Sequence, residues 1–559
     1  MYLTRQLAQS ALFQPYAEDL SLDERIRLSY ERARQVGRLY ALTAHDVLTL
    51  SPKFWDLHID PICTMDGAML SLLTLQYNLC AGTLAMFSGR QPHLNDVLKE
   101  VLAFNVSGQF CLTEVGHGLN VFHMETTATL LSNGEFDLHT PSESSAKFMP
   151  PTSPTGIPCI AVVFARTVVE DEDRGVKPFI VRLNDGTTME SGVICKLLPQ
   201  RGGSRPLNHS MTYFNHVRLP SSALLGSIEK PADFRASFFE SISRVAVGTL
   251  ALGSNCLPAL QVSSYIAARY SLRRMVVDRD GSQKPIMGFQ TQKAPIVTVL
   301  AQSFVMQALH TKAVSIFRDV SFDFRIRHAM ATILKVVMVT HAQAAQLMLG
   351  DRCGAQGLFE VNQLSAMHAD LRGSAIAEGD MLVISIRLAT ELLLGRYAVP
   401  DTTNADSILA KHERGMFDEL RGLLAKTGGH RSTGYNQLVL PECSNLVLAI
   451  GHRMAYDAAI EMEVDACLVD LYVASCVKAD PAWYAEKMGL SRMDQKIMEV
   501  TAVEAVYDRL EEFLTRLDVE PYVSAPIVSQ DRWTEFVGLL KTFKGEASVN
   551  VTKSTTVSA

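Results

Sequence analysis

The sequence predicts an α+β protein of several domains: an N-terminal α-helical domain, a central antiparallel β-barrel or sandwich, a C-terminal helical bundle and a second C-terminal α domain. Three observations predict it. Apolar residues recur every three or four positions up to about Phe104. Short β-rich runs, split by Gly, Pro, Asn and Asp, then follow to about residue 228. Helical periodicity returns at Ala232, in segments apolar on several faces, as buried bundle helices are. A length of 559 residues suits three or four domains at ~150 residues each.

Taken in order, residues 1–108 form the first domain. "SLDERIRLSYERARQVGRLYAL" opens at Ser21 with acids in its first turn and an amphipathic repeat behind them, as a capped helix does. The uncharged stretch 67–89 is long enough to cross a bilayer. It carries Ser71, Thr74, Gln76, Asn78 and Thr83, whose polar groups would lack partners in lipid, so it reads as a buried helix or two short ones and no membrane span is expected. Residues 109–228 hold "ETTATLL", "GEFDLHT", "CIAVVFARTVV", "KPFIVRLND", "ESGVICKLLP" and "MTYFNHVRLP", the strand-like runs. Residues 229–400 form the bundle. Pro400 and the polar "DTTNADS" mark a seam before a further helical block at 401–545, and 546–559 reads as a disordered tail. No internal repeat is visible.

Composition narrows the function. Apolar residues make up 47% and charged residues 20%, ordinary for a globular protein, and with a net charge of −7 no basic excess points to nucleic acid. The ten cysteines include no CxxC pair, which argues against zinc or thioredoxin chemistry and for a reducing compartment. No metal is expected. The N-terminal segment lacks the apolar core of a signal peptide, and the C-terminal "TVSA" is not an S-K-L-type signal. A cytoplasmic location is expected, with the peroxisome as the alternative.

"TEVGHG", residues 113–118, holds two glycines around His117. A dinucleotide fingerprint needs a third glycine and a helix, and neither follows. His117 has no partner at ligand spacing. What remains is a Gly-rich turn, or a loop whose backbone and Thr113 hydroxyl meet a flat heteroaromatic ring, with Gly116 allowing close approach.

Together with "METTATL" behind it, this loop resembles the flavin-facing segment of the acyl-CoA oxidases, T-E-(L/M)-G-H-G…L-E-T-T-A. Four further segments resemble the same family in the same order: "HSMTYFNHVRLP" at 209–220, "RYSLRRM…GFQTQKAPIVTVLA" at 269–301, "DRCGAQGLF" at 351–359 and "AIAEGDMLVISIRLATELL" at 375–393. The resemblance implies FAD, a homodimer, an acyl-CoA or related substrate and O2 as electron acceptor, with hydrogen peroxide formed. It implies Glu378 as the base that removes the α-proton of a thioester, with a pKa raised towards neutrality in an apolar pocket. It implies flavin contacts at Thr113, Gly116 and residue 151, a phosphate contact at Arg273 or Arg274, and a tight turn at Gly354 and Gly357 near the cofactor of a neighbouring subunit. Gln290 and Gln292 fall in the matched Q-T-Q. By residue type alone, Glu378 also suits a first-turn acid complementing a helix dipole.

The chain departs from the family around the expected site. "KFMPPTSPTG" stands where the family has W-W-P-G-G-L-G, so Pro151 and Thr152 replace a glycine pair, and proline has no N–H to offer a flavin. Gln356 replaces a histidine, Met381 an asparagine, Ala377 an aromatic residue and Arg387 a glutamine. Such clustered change around a retained base points to an altered substrate, with more room near the β-carbon, including a specialised-metabolism intermediate. Two other readings keep the fold: a redox or isomerase enzyme on a non-thioester, and a flavin-free scaffold subunit.

Overall fold

The computed structural model describes residues 2–13 and 20–545. The expected tail at 546–559 lies outside them. The helix at Ser21 forms as its sequence dictates: α1 spans Leu22–Tyr40, capped by a reciprocal box in which Ser21 N donates to Glu24 Oε2 and Glu24 N donates to Ser21 Oγ. The uncharged stretch becomes one continuous helix, α2 (Gly67–Ser88), whose middle turns Thr74–Ala81 are π-helical. Its polar residues find partners inside the protein. Gln76 Nε2 donates to the carbonyls of Val101 (2.7 Å) and Val106 (2.8 Å), and its Oε1 accepts from Gly108 N (2.6 Å), pinning the entry to the first strand. Gly67–Ser88, Arg244–Arg273 and Phe324–Arg352 are long and apolar enough to cross a membrane by composition, but 72%, 89% and 61% of their apolar windows are buried within the protein.

The β domain starts at β1 (Ser107–Cys111) and continues through β2 (Thr127–Leu130), β3 (Phe136–His139), β4 (Lys147–Phe148), β5 (Cys159–Val169), β6 (Glu172–Asn184), β7 (Val193–Leu197), β8 (Ser210–Phe214) and β9 (Val217–Leu219). The 11-residue β5 organises it. β6 pairs antiparallel along one edge, while β1 and β2 share the other edge and both run parallel to β5. β3 and β9 extend that sheet, and β4, β8 and β7 form a second, antiparallel one. The antiparallel expectation therefore holds for most pairs but not for the two on β5. Alternation of apolar residues records which face is buried and is blind to strand direction. Phe136, Phe179, Val163 and Phe214 fill a separate core in this domain.

Helices then resume with α3 (Phe234–Ser241), α4 (Arg244–Ser254), α5 (Cys256–Arg273), α6 (Gln290–Arg318), α7 (Phe324–Arg352), α8 (Leu364–Ile376) and α9 (Met381–Leu393). α7 is central and packs on α4, α5, α6, α8 and α9. Beyond Pro400 come α10 (Ile408–Lys426), α11 (Cys443–Glu461), α12 (Ala466–Ala479) and α13 (Arg492–Tyr507). α11 packs on α6 and α7, so one apolar core runs from the N-terminal helices through the bundle into this last block.

Candidate active site

Glu378 sits in a sharp reversal between α8 and α9. Glu378 has φ +50° and Gly379 φ +103°, two successive residues in the left-handed region, which an acidic residue adopts only when held there. Asp380 then caps α9, accepting from Leu382 N and Val383 N. Three consecutive carbonyls of the reversal are held from two helices. Lys335 Nζ on α7 donates to Ala377 O (2.5 Å) and Gly379 O (2.6 Å), and Thr249 Oγ1 on α4 donates to Glu378 O (2.6 Å).

The carboxyl group points inward. Its Oε2 accepts from Asn78 Nδ2 at 3.3 Å and lies against Gly248, where an added Cβ would stand 1.2 Å from that oxygen. Asn78 belongs to the π-helical turns of α2, and such turns often mark functional positions because they redirect side chains. Arg244, at the start of α4, is buried beside them. Its Nε donates to Asn78 O (3.0 Å) and one terminal nitrogen to Val47 O (2.9 Å), the guanidinium lying on Gly82. Burial is the largest influence on Glu378 and pushes its pKa up to about 8, against the opposing pull of Lys335, Arg244 and Asn78. Burial brings Lys335 down to about 8 and Arg244 to about 10.

A cavity of about 580 Å³ opens at this point, within the range of small-molecule sites. Glu378, Gly379 and Thr249 line it with Phe239, Val245, Ala246, Ile384 and Leu388, and a more polar side carries His328, Arg325 and Arg387. Burial and the neighbouring Arg387 and Arg327 depress His328 to about 4, so it is neutral at physiological pH. Arg387, one of the departures, reaches Glu391 at 3.6 Å and lies over the Phe239 ring.

Gly248→Ala tests this geometry. Alanine gains about 1 kcal/mol of helix propensity over glycine, yet its methyl takes the space of Glu378 Oε2. If Glu378 is the reacting group of this cavity, the expected result is intact secondary structure with kcat/KM down about 100-fold, since displacing such a group by ~1 Å costs that much. Circular dichroism and steady-state kinetics on one preparation check it.

The other expected positions lie apart from this cavity's lining. The Thr113 hydroxyl has no hydrogen-bond partner among the described residues, while its carbonyl accepts from Phe148 N. Gly116 packs on Ser144, and its N–H donates to Ser144 O at 2.7 Å. Pro151 and Thr152 are buried, with Thr152 Oγ1 2.7 Å from Thr212 Oγ1. Next to them, His209 Nδ1 is 2.6 Å from Met149 O and its buried Nε2 has no partner. Arg273 and Arg274 part company. Arg273 donates to Ile527 O and Gln530 Oε1, whereas the Arg274 guanidinium is exposed, with no hydrogen bond or ion pair among the described residues. Gly354 has φ +59° and open space where a Cβ would go, but Gly357 packs on Gly350, whose carbonyl oxygen would stand 2.1 Å from an added Cβ. Gln292 ties Ser271 to Arg352 O, a packing role, and Gln290 is exposed at the start of α6.

Arg244, Gly248, Thr249 and Lys335 were not singled out from the sequence, and Asn78 stood out only as a polar group needing a partner in the uncharged stretch. Two had a signal: Lys335 is a lone charge in "ATILKVVMVT", and Arg244 precedes the apolar "VAVGTLAL". Gly248 and Thr249 are unremarkable residues on an apolar helix.

Residues 248–393, which contain Gly248, Thr249, Lys335 and Glu378, match the family model described as acyl-CoA oxidase, C-alpha1 domain. The chain is similar to the peroxisomal acyl-coenzyme A oxidase 3 of Homo sapiens, 26% identical over 412 residues, 68% of this chain. It spans 58% of that relative, little more than half its length. In fold it is similar to acyl-CoA oxidase 1 of Yarrowia lipolytica, with a TM-score of 0.81 and 16% identity over 98% of this chain and 90% of that one. It is also similar to acyl-CoA oxidase-1 of Caenorhabditis elegans, solved in complex with FAD and ATP, with a TM-score of 0.77 and 17% identity over 96% and 89%.

Proposed function

We propose that this chain, a divergent member of the acyl-CoA oxidase family, is an FAD-dependent oxidoreductase that introduces a double bond between the α- and β-carbons of an acyl thioester. The observation that carries the reading is Glu378, a residue lining a largely apolar cavity, with its carboxyl held by Asn78 and its turn held by three side-chain hydrogen bonds. A weakly acidic α-proton needs a positioned base with a pKa near the working pH, and burial tunes this carboxyl in that direction. In the step it performs, the α C–H bond breaks, the proton goes to Glu378 and negative charge builds up on the thioester oxygen. Asn78 orients the carboxyl, and Lys335 and Arg244 favour its ionised form. The apolar residues of the cavity exclude water around an acyl chain.

The residues present fit a flavin that takes its ring contact from Thr113 and not from the backbone at Pro151. Support comes from the unpartnered Thr113 hydroxyl, the orphaned His209 Nε2, the open space at Gly354 and the free charge of Arg274. Thr113, Gly354 and Arg274 are the groups that would hold it. When bound, FAD supplies the acceptor for the β-hydride and, with O2, the route to hydrogen peroxide. The missing N–H at Pro151 favours a second reading, a flavin-free scaffold. A visible spectrum after adding FAD, then peroxide release on a panel of acyl-CoAs, decides between them. Flavin bands and peroxide are expected, and colourless protein that ignores FAD would remove the leading reading. The relatives' names are peroxisomal, which supports that compartment over the cytoplasm.

Activity should depend on pH with a defined sign. The base works deprotonated, so kcat/KM rises as pH passes through about 8 and levels off above it. Lys335 titrates in the same range, so the observed value belongs to the pair. Because the folded-state pKa of Glu378 lies above its ordinary value, the stability this group contributes is complete in acid and is lost as pH rises through about 8. A pH–rate profile, with melting measured at the same pH values, checks both.

A further inference from the structure

Lys335 is fully buried in the middle of α7, and its hydrogen bonds go to backbone carbonyls, those of Ala377 and Gly379. Among the described residues it forms no ion pair within 4 Å. A buried ammonium without a carboxylate partner is costly, and methionine or leucine would fill the same volume without that cost. What a cation does here and a neutral side chain does not is hold two carbonyls that flank Glu378 while setting a positive charge near its carboxyl. The origin of the arm is fixed as well. At Gly253 on α4 an added Cβ would come within 2.9 Å of Lys335 Cα, so the two helices cross with their backbones in near contact. Thr249, one turn before Gly253 on α4, holds the carbonyl between the two that Lys335 holds.

We propose that Lys335 is the positioning residue of the Glu378 base: it clamps the left-handed turn at residues 377–379 so that the carboxyl stays beside Asn78 and Gly248. This rests on the reading of Glu378 as base. His328, Arg325 and Arg387 share the cavity that Glu378 lines. Arg244 faces Glu378 from α4, and Asp380 and Cys256 lie near Lys335.

Lys335→Met and Lys335→Ala test it. In flavin-free protein, amide hydrogen exchange over residues 376–384 should quicken by at least about tenfold in Lys335→Met, with the remainder of α7 unchanged. In the loaded enzyme, kcat should fall about 100-fold while KM stays within about threefold. The pH limb should move upward, because a positive charge has left the carboxyl's surroundings. Propylammonium should restore part of kcat to Lys335→Ala, a rescue that a packing role would not produce. Should Lys335→Met fail to fold, Thr249→Val removes the middle hydrogen bond of the turn, together with the Thr249 Oγ1 contact to Val245 O, and should quicken the same exchange. Unchanged exchange and an unmoved pH limb would overturn the proposal. The outcome is separable from the function itself. An inactive Glu378→Gln beside Lys335 variants with normal exchange and pH limb sinks the clamp alone. A fully active Glu378→Gln sinks the base reading, and the flavin-free exchange still reports on the clamp.

Discussion

Glu378→Gln is expected to fold, to bind flavin as the parent does, and to lose turnover by about 10³-fold, the middle of the range that a general base contributes. Glutamine keeps the shape and can still meet Asn78, but it cannot take a proton. The change also removes a buried ionisable group, so the melting temperature should stay level or rise. Peroxide release and the rate of flavin bleaching on mixing with substrate measure the effect. Activity close to the parent's would mean that the proton leaves by another route, and that Glu378 is only the acid of a capped turn. The geometry argues against that bland role. The helix cap is Asp380, and the Glu378 carboxyl is turned away from the α9 N-terminus towards Asn78 and Gly248.

Lys147→Met should cost about 3–5 kcal/mol of stability, the usual penalty for leaving one member of a buried ion pair behind. Lys147 Nζ lies 3.0 Å from Glu114 Oε1, and both side chains are sealed from solvent. Glu114 also accepts from the N–H groups of Glu125 (2.8 Å) and Thr126 (3.0 Å), so one carboxylate ties the 113–118 loop to the strand that follows and, through Lys147, to β4. Burial pushes its pKa up, but the Lys147 ammonium and these N–H groups outweigh that and leave it below the ordinary carboxylate range. Its stabilisation is therefore present above that range and lost as pH falls through the depressed value. Denaturant melts of parent and variant at neutral and acid pH check both statements: a large gap at neutral pH, narrowing in acid. A variant as stable as the parent would show that the pair carries no net weight.

Much of the plan was legible in the residues themselves. The capping box at Ser21 and Glu24, the turn residues between the strands and the return of helical period after Ala232 are local signals, and local propensity decides them. Glu378 could be proposed as a base only through the resemblance of its segment to the acyl-CoA oxidases, since by residue type alone it suits a first-turn acid equally. The glutamate of "TEVGHG" was harder to interpret, because the short motif does not reveal that Glu114 pairs with a lysine 33 residues away. Likewise, the near-apolar α7 announced a buried helix, but not that its single lysine reaches the carbonyls on both sides of Glu378, some 40 residues further along.

What the chain determined by itself was the order of its elements, the faces they bury and the residue types available for proton transfer, since these depend on neighbours within a few turns. What only tertiary structure decided was the company those residues keep. Asn78, Arg244, Gly248, Thr249 and Lys335 meet Glu378 because α2, α4 and α7 pack around one turn, and the direction of β1 and β2 on β5 was settled by the same long-range packing. The reason is physical: burial and opposing charges, which set the acidity of a carboxyl and the cost of an ammonium, are properties of a three-dimensional neighbourhood and leave no trace in the spacing of residues along a chain.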